Sequence, residues 1–341
     1  MVYSLLKLIL IKMKNVFKYL FLVLIVASCK DEVENHHFIG NVFGTTYSIQ
    51  FEASASKIDF QEQFDKLFYI INISMSTYQE NSIISKINRN EEVSIDSHFR
   101  KVFDASKEIY TATNGAFDPT IGVMVNAWDF GSDNGIENLN TIAIDSLMLS
   151  VGFDKVVRED DKISKQHEGN IIDFSAIAKG YGVDVIANFL DTQNVESYLV
   201  EIGGEIRTRG INLDSGNPWK IGVENPNFDG SQSVMKAISL TDEAMATSGT
   251  YRKFKVDENG NKYAHIINPK TGYSSKNNVL SVSVITKECM IADAYATALM
   301  TMTVDGIKNF VEKHPELKVF VIFENDNNEL ETLSLNNFPE A

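Results

Sequence analysis

Residues 173–184, Asp-Phe-Ser-Ala-Ile-Ala-Lys-Gly-Tyr-Gly-Val-Asp, constrain the chain more than any other stretch. The run Asn170-Ile171-Ile172 leads into it and reads as a strand. After it, Ile177, Tyr181, Val185, Ile186 and Phe189 recur at helical spacing. A strand that turns directly into a helix makes a corner with unsatisfied backbone N–H groups and the positive end of a helix dipole. Such a corner can hold a phosphate, and small residues let a ligand approach the main chain. The same residues also suit an ordinary turn in which Asp173 or Ser175 serves as the N-cap. The stretch alone leaves both readings open.

The N-terminus is a targeting segment. Lys12, Lys14 and Lys18 precede an apolar run over residues 19–26, then Ala27-Ser28 and Cys29. The apolar run is short for a membrane-spanning helix. Residues 30–37 are polar and read as a flexible tether to a folded part beginning at Phe38. The formal net charge is −15, and the only charges ahead of Cys29 are four lysines, so the remainder is more acidic still. An acidic body of this kind argues against a nucleic-acid partner. The chain has two cysteines, and Cys289 reads as a small buried apolar residue.

Helical spacing recurs over residues 58–73, 81–88 and 99–113, the last stopped by Asn114-Gly115. Alternation marks strands at residues 45–51, 198–202, 205–209, 219–224 and 279–286. Gly203-Gly204 is the turn of a hairpin. Asp293 and Thr297 are four apart in a small-residue helix, so their oxygens share a face. Tyr78 in a loop can stack on an aromatic ring or cover the core edge. His265, beside the turn at Asn268-Pro269, is a proton carrier or a structural hydrogen-bonder.

Taken in order, several stretches resemble the ApbE-type flavin transferases (FAD:protein FMN transferases). They are Gly44-Thr45-Thr46, Met75-Ser76-Thr77-Tyr78, Gly115-Ala116-Phe117-Asp118, residues 173–184, Glu201-Ile202-Gly203-Gly204, Ala246-Thr247-Ser248-Gly249, residues 265–272, and residues 292–297. They span nearly all of the chain beyond Cys29. The resemblance implies an α+β fold of the family's own T-fold-like type, with mixed sheets flanked by helices over residues 38–341. It places FAD against Phe43, Tyr78, Ala116, Phe117, Asp118, Asp173, Lys179 and Ile267. It places Mg²⁺ on Asp293, Thr297 and the main-chain carbonyl of Ala176. Some relatives carry an acidic residue at the Lys179 position and an Asp at the Ala296 position, which leaves a second metal open. Cys29 resembles a lipobox cysteine, which implies cleavage of residues 1–28 and a lipid anchor on the outer side of a bacterial membrane.

The implied reaction moves FMN from FAD to a Thr or Ser hydroxyl of an acceptor protein and releases AMP. Asp293 would act through the metal, and His265 is the side chain placed to move a proton. Two alternatives use the same residues: a Mg²⁺-dependent FAD pyrophosphatase, with water as acceptor, and a flavin-binding lipoprotein without catalysis.

Overall fold

The computed structural model describes residues 33–54, 59–137, 139–251, 254–256, 262–275 and 277–340. Residues 1–32, with the leader and Cys29, lie outside them. Contacts gather His36–Glu52 and Asp59–Ala341 into one unit, and Met1–Asn35 with Ala53–Ile58 into another. The first carries the elements that matter for the site.

Strands β1 (Val33–Val42) and β2 (Thr45–Ser54) open the chain. Residues 33–37 are therefore strand and not tether. The polar composition hides an alternation: the His36 ring lies 5.1 Å from Phe51 and Phe38 stacks on Phe51 at 5.8 Å. His37, on the other face, bonds Ser48 Oγ at 2.9 Å. Helix α1 (Gln61–Met75) buries Phe64, Phe68 and Ile71. Helices α2 (Ile83–Asn88) and α3 (Ser97–Ala112) follow, with Ser82 and Asp96 as N-caps accepting from Ser85 N–H and Phe99 N–H. Helices α4 (Gly122–Ala127) and α5 (Thr141–Met148) and the small hairpin of β3 (Val156–Glu159) and β4 (Lys162–Lys165) precede α6 (Ala178–Thr192).

Then come β5 (Ser197–Ile202), β6 (Glu205–Arg209), β7 (Trp219–Glu224), β8 (Val234–Leu240) and β9 (Ala244–Gly249). The short pair β10 (Phe254–Val256) and β11 (Lys262–Ala264) leads to β12 (Val279–Thr286). Helices α7 (Cys289–Leu299) and α8 (Val304–Val311) and strands β13 (Lys318–Glu324) and β14 (Leu330–Leu335) end the chain. Eight strands form one sheet in the order β1-β2-β5-β6-β9-β12-β13-β14. The α+β class holds. Each described pairing from β2 across to β14 is antiparallel, where the resemblance implies mixed sheets.

Every residue of β12 is buried, because both faces of the sheet are covered there. Val282 and Val284 join the core formed with α3 and α7. Ile285 joins a second cluster with Ile221, Val223, Ile238 and Leu240 from the β7–β8 hairpin. A register irregularity between Val279 and Ser281 shifts the alternation, so Val279 also faces the first core.

Helix α7 packs on β9 and β12 beside α6, which packs on β5 and β6, and its Ala292, Ala294, Ala296 and Ala298 are all fully buried. Small side chains allow this close approach. At Gly180 even a methyl group is too much, since a Cβ there would meet Cys289 O at 2.4 Å and Asp293 Cβ at 2.9 Å. Two carboxylates lock the helices together. Asp184 of α6 accepts from Cys289 N–H (3.0 Å) and Met290 N–H (2.8 Å), which open α7, and from Arg207 Nη1 (2.8 Å). Asp293 Oδ2 of α7 accepts from Gly180 N–H (3.0 Å), in the first turn of α6. Each carboxylate thus satisfies orphan donors at the other helix's N-terminus.

The strand expected at residues 170–172 shrinks to a single parallel bridge between Ile171 and Ile121. A side chain takes the place of a neighbouring strand: Asn88 Nδ2 donates to Ile172 O (2.9 Å) and Asn88 Oδ1 accepts from Ile172 N–H (2.8 Å). Asp173 N–H then donates to Pro119 O (2.8 Å), tying the corner to the loop after α3. In that loop Asp118 is 6% exposed. Its Oδ1 accepts from Thr120 N–H (2.8 Å) and Thr120 Oγ (2.6 Å). Burial raises the Asp118 carboxyl to about 6, against the lowering pull of the Thr120 bonds.

Two outcomes follow from this packing. Gly180→Ala forces the α6–α7 contact apart and costs about 1–3 kcal/mol, read as a lower urea midpoint at unchanged slope. Asp118 binds its proton more tightly folded than unfolded, so its contribution is full below the unfolded value near 4 and is lost as pH rises through about 6. The two-unit difference corresponds to about 3 kcal/mol at most. Asp118→Asn should therefore lose less stability than the parent between pH 4 and pH 7, measured by denaturant unfolding across that range.

Candidate active site

The α6 N-terminus is capped from another element. Asp173 spends Oδ1 on Ser175 N–H (2.8 Å), a turn that precedes the helix, and Asp293 supplies the carboxylate at Gly180. Ala176 lies in the intervening turn, where Ile177 N–H and Ala178 N–H both donate to Phe174 O. The fold therefore brings Ala176, Lys179 and Asp293 to one corner. Lys179 Nζ stands 2.5 Å from Glu205 Oε1 and 3.9 Å from Asp293 Oδ1. Both carboxylate side chains are 4% exposed and the lysine is 31% exposed.

Glu205 opens β6 directly after the Gly203-Gly204 turn, where both glycines have positive φ and Gly204 N–H donates to Glu201 Oε1 at 2.6 Å. The turn fixes which side of the sheet Glu205 faces. Burial raises its carboxyl to about 7; the Asp293 charge adds to this and Lys179 opposes it. Burial also raises Asp293, with Lys179 and the Gly180 N–H pulling the other way. Burial disfavours the Lys179 charge, but Asp293 and Glu205 outweigh it and hold the ammonium above the ordinary lysine value.

When both carboxylates are ionised, one ammonium leaves a negative charge uncompensated, and Glu205 Oε2 has no hydrogen-bond partner among the described residues. A cation fits such a site. Thr297 lies one turn along α7 from Asp293, and its Oγ bonds Ser248 Oγ on β9 at 2.9 Å. When Thr297 donates to Ser248, its lone pairs are free for a hard cation. Carboxylate, hydroxyl and main-chain carbonyl make an all-oxygen set of the kind Mg²⁺ takes. It holds a single carboxylate, and among the described residues no group of three or more His, Cys, Asp or Glu is placed around one ion. Cys289 is fully buried between these elements, and burial raises its thiol well above the ordinary value, so it is a packing residue.

The other expected residues lie on several different elements. Phe43 occupies the β1–β2 turn at positive φ, packs edge-on against Phe68, and would meet any Cβ at Gly182 at 2.7 Å. Tyr78 is 67% exposed, and partial burial of its hydroxyl and the charge of Asp173 raise its pKa. Ala116 and Phe117 are buried beside Asp118. Ile267 belongs to a separate cluster with Met124, Ala127, Ile144 and Val151. His265 sets its ring 6.4 Å from that of Phe130. This segment is tied to the end of α7 by Asn268 Nδ2 to Thr301 O (3.5 Å) and Ser275 Oγ to Met300 O (3.3 Å). Glu205 and Ser248 carry no role in the sequence reading. The signal for Glu205 is present: a charged residue at the start of a strand whose neighbours are buried.

The ApbE family model matches residues 43–321. The FAD:protein FMN transferase of Vibrio cholerae is 37% identical over 297 residues, 85% of this chain and 88% of the relative. That of Haemophilus influenzae is 35% identical over 315 residues, 89% and 90% of the two chains. Among solved structures, the flavin transferase ApbE of Vibrio cholerae superposes with a TM-score of 0.81 at 34% identity, covering 90% of this chain and 99% of the other. The apo flavinyl transferase ApbE of Pseudomonas stutzeri gives 0.78 at 26% identity, covering 89% and 95%. With the family model, these relatives and the fold in agreement along nearly the same span, the chain belongs to the ApbE family.

Proposed function

We propose that the protein is an FAD:protein FMN transferase that moves FMN to a Thr or Ser hydroxyl of an acceptor protein and releases AMP. The observation that carries this reading is the buried Asp293–Lys179 corner at the N-terminus of α6, in a chain 37% identical to a relative of that name. In the reaction the acceptor oxygen forms a bond to the FMN phosphorus. The bond from that phosphorus to the bridging oxygen breaks, AMP leaves with that oxygen, and the hydroxyl proton is released. A bound Mg²⁺ would polarise the diphosphate and offset the charge on the departing AMP. Asp293, Thr297 and the Ala176 carbonyl would hold the ion, with Ser248 orienting Thr297. Phe43, Tyr78, Ala116, Phe117, Asp118, Asp173, Lys179 and Ile267 would line the FAD path. Asp118 contributes there by shaping its loop, since its Oδ1 is committed to Thr120. His265 is the side chain offered for proton movement.

The test is incubation with FAD, Mg²⁺ and candidate acceptors, followed by mass spectrometry of the acceptor and assay of AMP. Added FMN on Thr or Ser, equal in amount to the AMP, is the expected result. Free FMN as the only flavin product, with a competent acceptor present, would assign the protein as a pyrophosphatase. Asp293→Ala should lower turnover by about two orders of magnitude or more, as loss of a positioned electrostatic stabiliser does. Thr297→Ala should lose less and recover in part at high Mg²⁺, because water replaces a hydroxyl ligand. Asp293→Ala with near-parental turnover at low Mg²⁺ would remove the metal assignment.

The leader and Cys29 support a lipid-anchored position on the outer face of a bacterial membrane. Cys29→Ala should abolish lipid labelling and release the protein to the soluble fraction. Unchanged labelling in that variant would refute the anchor.

A further inference from the structure

We infer that Glu205 is a positioning residue that keeps the Lys179 ammonium off Asp293 and so leaves an Asp293 oxygen open to a divalent cation. This rests on the reading of Asp293 as a cation ligand. The geometry is a competition between two buried carboxylates for one lysine. Glu205 Oε1 holds Nζ at 2.5 Å, while Asp293 Oδ1 is 3.9 Å away, beyond hydrogen-bond reach. Coulomb attraction falls with distance, so at equal dielectric the Glu205 contact attracts about one and a half times as strongly. Asp293 Oδ2 is held by Gly180 N–H, which leaves Oδ1 as the oxygen nearer Lys179. A lysine released from Glu205 has that oxygen as its nearest carboxylate partner, and an ammonium seated there excludes a metal ion.

Among the described residues, Lys179 is the ion-pair partner of Glu205. Its Oε2 is buried without a hydrogen-bond partner, so Lys179 is the side chain that its carboxylate serves. Placing a charged residue at a position 3% exposed is costly, and an apolar residue would pack there at less cost. The Gly203-Gly204 turn makes the placement rigid, since it sets the first residue of β6. Lys179 stays charged and near the diphosphate path without neutralising the ligand beside it.

The experiment is Mn²⁺ binding to the intact protein without FAD, read by electron paramagnetic resonance, with Asp293→Ala as the blank. Glu205→Gln should weaken Mn²⁺ binding about tenfold or more. In a Lys179→Met background the same change should cost about threefold or less, because no ammonium remains to occupy Asp293. Glu205→Asp keeps the charge, lengthens the contact to Lys179, and serves if Glu205→Gln does not fold. It should weaken binding in the parent and leave the Lys179→Met protein unaffected. An equal loss in both backgrounds overturns the inference, since Glu205 would then act on the ion without Lys179. Parental affinity in Glu205→Gln overturns it as well. A parent protein that binds no more Mn²⁺ than Asp293→Ala removes the metal reading itself, a result distinct from either.

Discussion

The close crossing of α6 and α7 is the constraint on which the rest depends. The two helices meet at Gly180, where a single methyl group would collide with the Cys289 carbonyl. They are then joined by an exchange of carboxylates, Asp184 to the start of α7 and Asp293 to the first turn of α6. Each is a tertiary cap. It neutralises the positive end of a helix dipole that neighbouring residues leave open, since neither helix has a side-chain cap at its own N-cap position. The arrangement fixes the relative height of the helices. Lys179, Glu205 and Thr297 take their places from it.

The sheet supplies the second half of that geometry. Strand β12 is covered on both faces, and β9 pairs with it residue by residue from Ala244 to Gly249. Ser248, opposite Val282 in that ladder, therefore presents its hydroxyl to Thr297 from a fixed backbone. On the neighbouring strand, Glu205 meets Lys179 for the same reason. A site assembled from a helix crossing and two strand positions keeps its distances better than one assembled from loops.

Much of this was legible in the order of residues. Helical periodicity locates α1, α3 and α7, and alternation locates β5, β6 and β12, because each element has one strongly apolar face or a fully buried run. The four-residue spacing of Asp293 and Thr297 puts both on one side of α7. The tether reading over residues 33–37 failed because histidine counts as polar while its ring packs like an aromatic, as His36 does on Phe51. The strand at 170–172 failed because its partner is an amide side chain 84 residues away. Asp184 and Ser248 act through tertiary contacts that no local pattern encodes, and for Glu205 the pattern marks a buried charge without naming its partner.

The Asn88 contact has a further consequence. One side chain at the end of α2 performs the work of a strand, with two hydrogen bonds to Ile172 and nothing that continues along the chain. The corner carrying Asp173 and Ala176 is thus fastened beside the eight-stranded ladder and not woven into it. The Pro119 carbonyl and the burial of Ile172, Phe174 and Ile177 in the main core complete the fastening. Corner and sheet are thus joined through packing and not through a shared ladder.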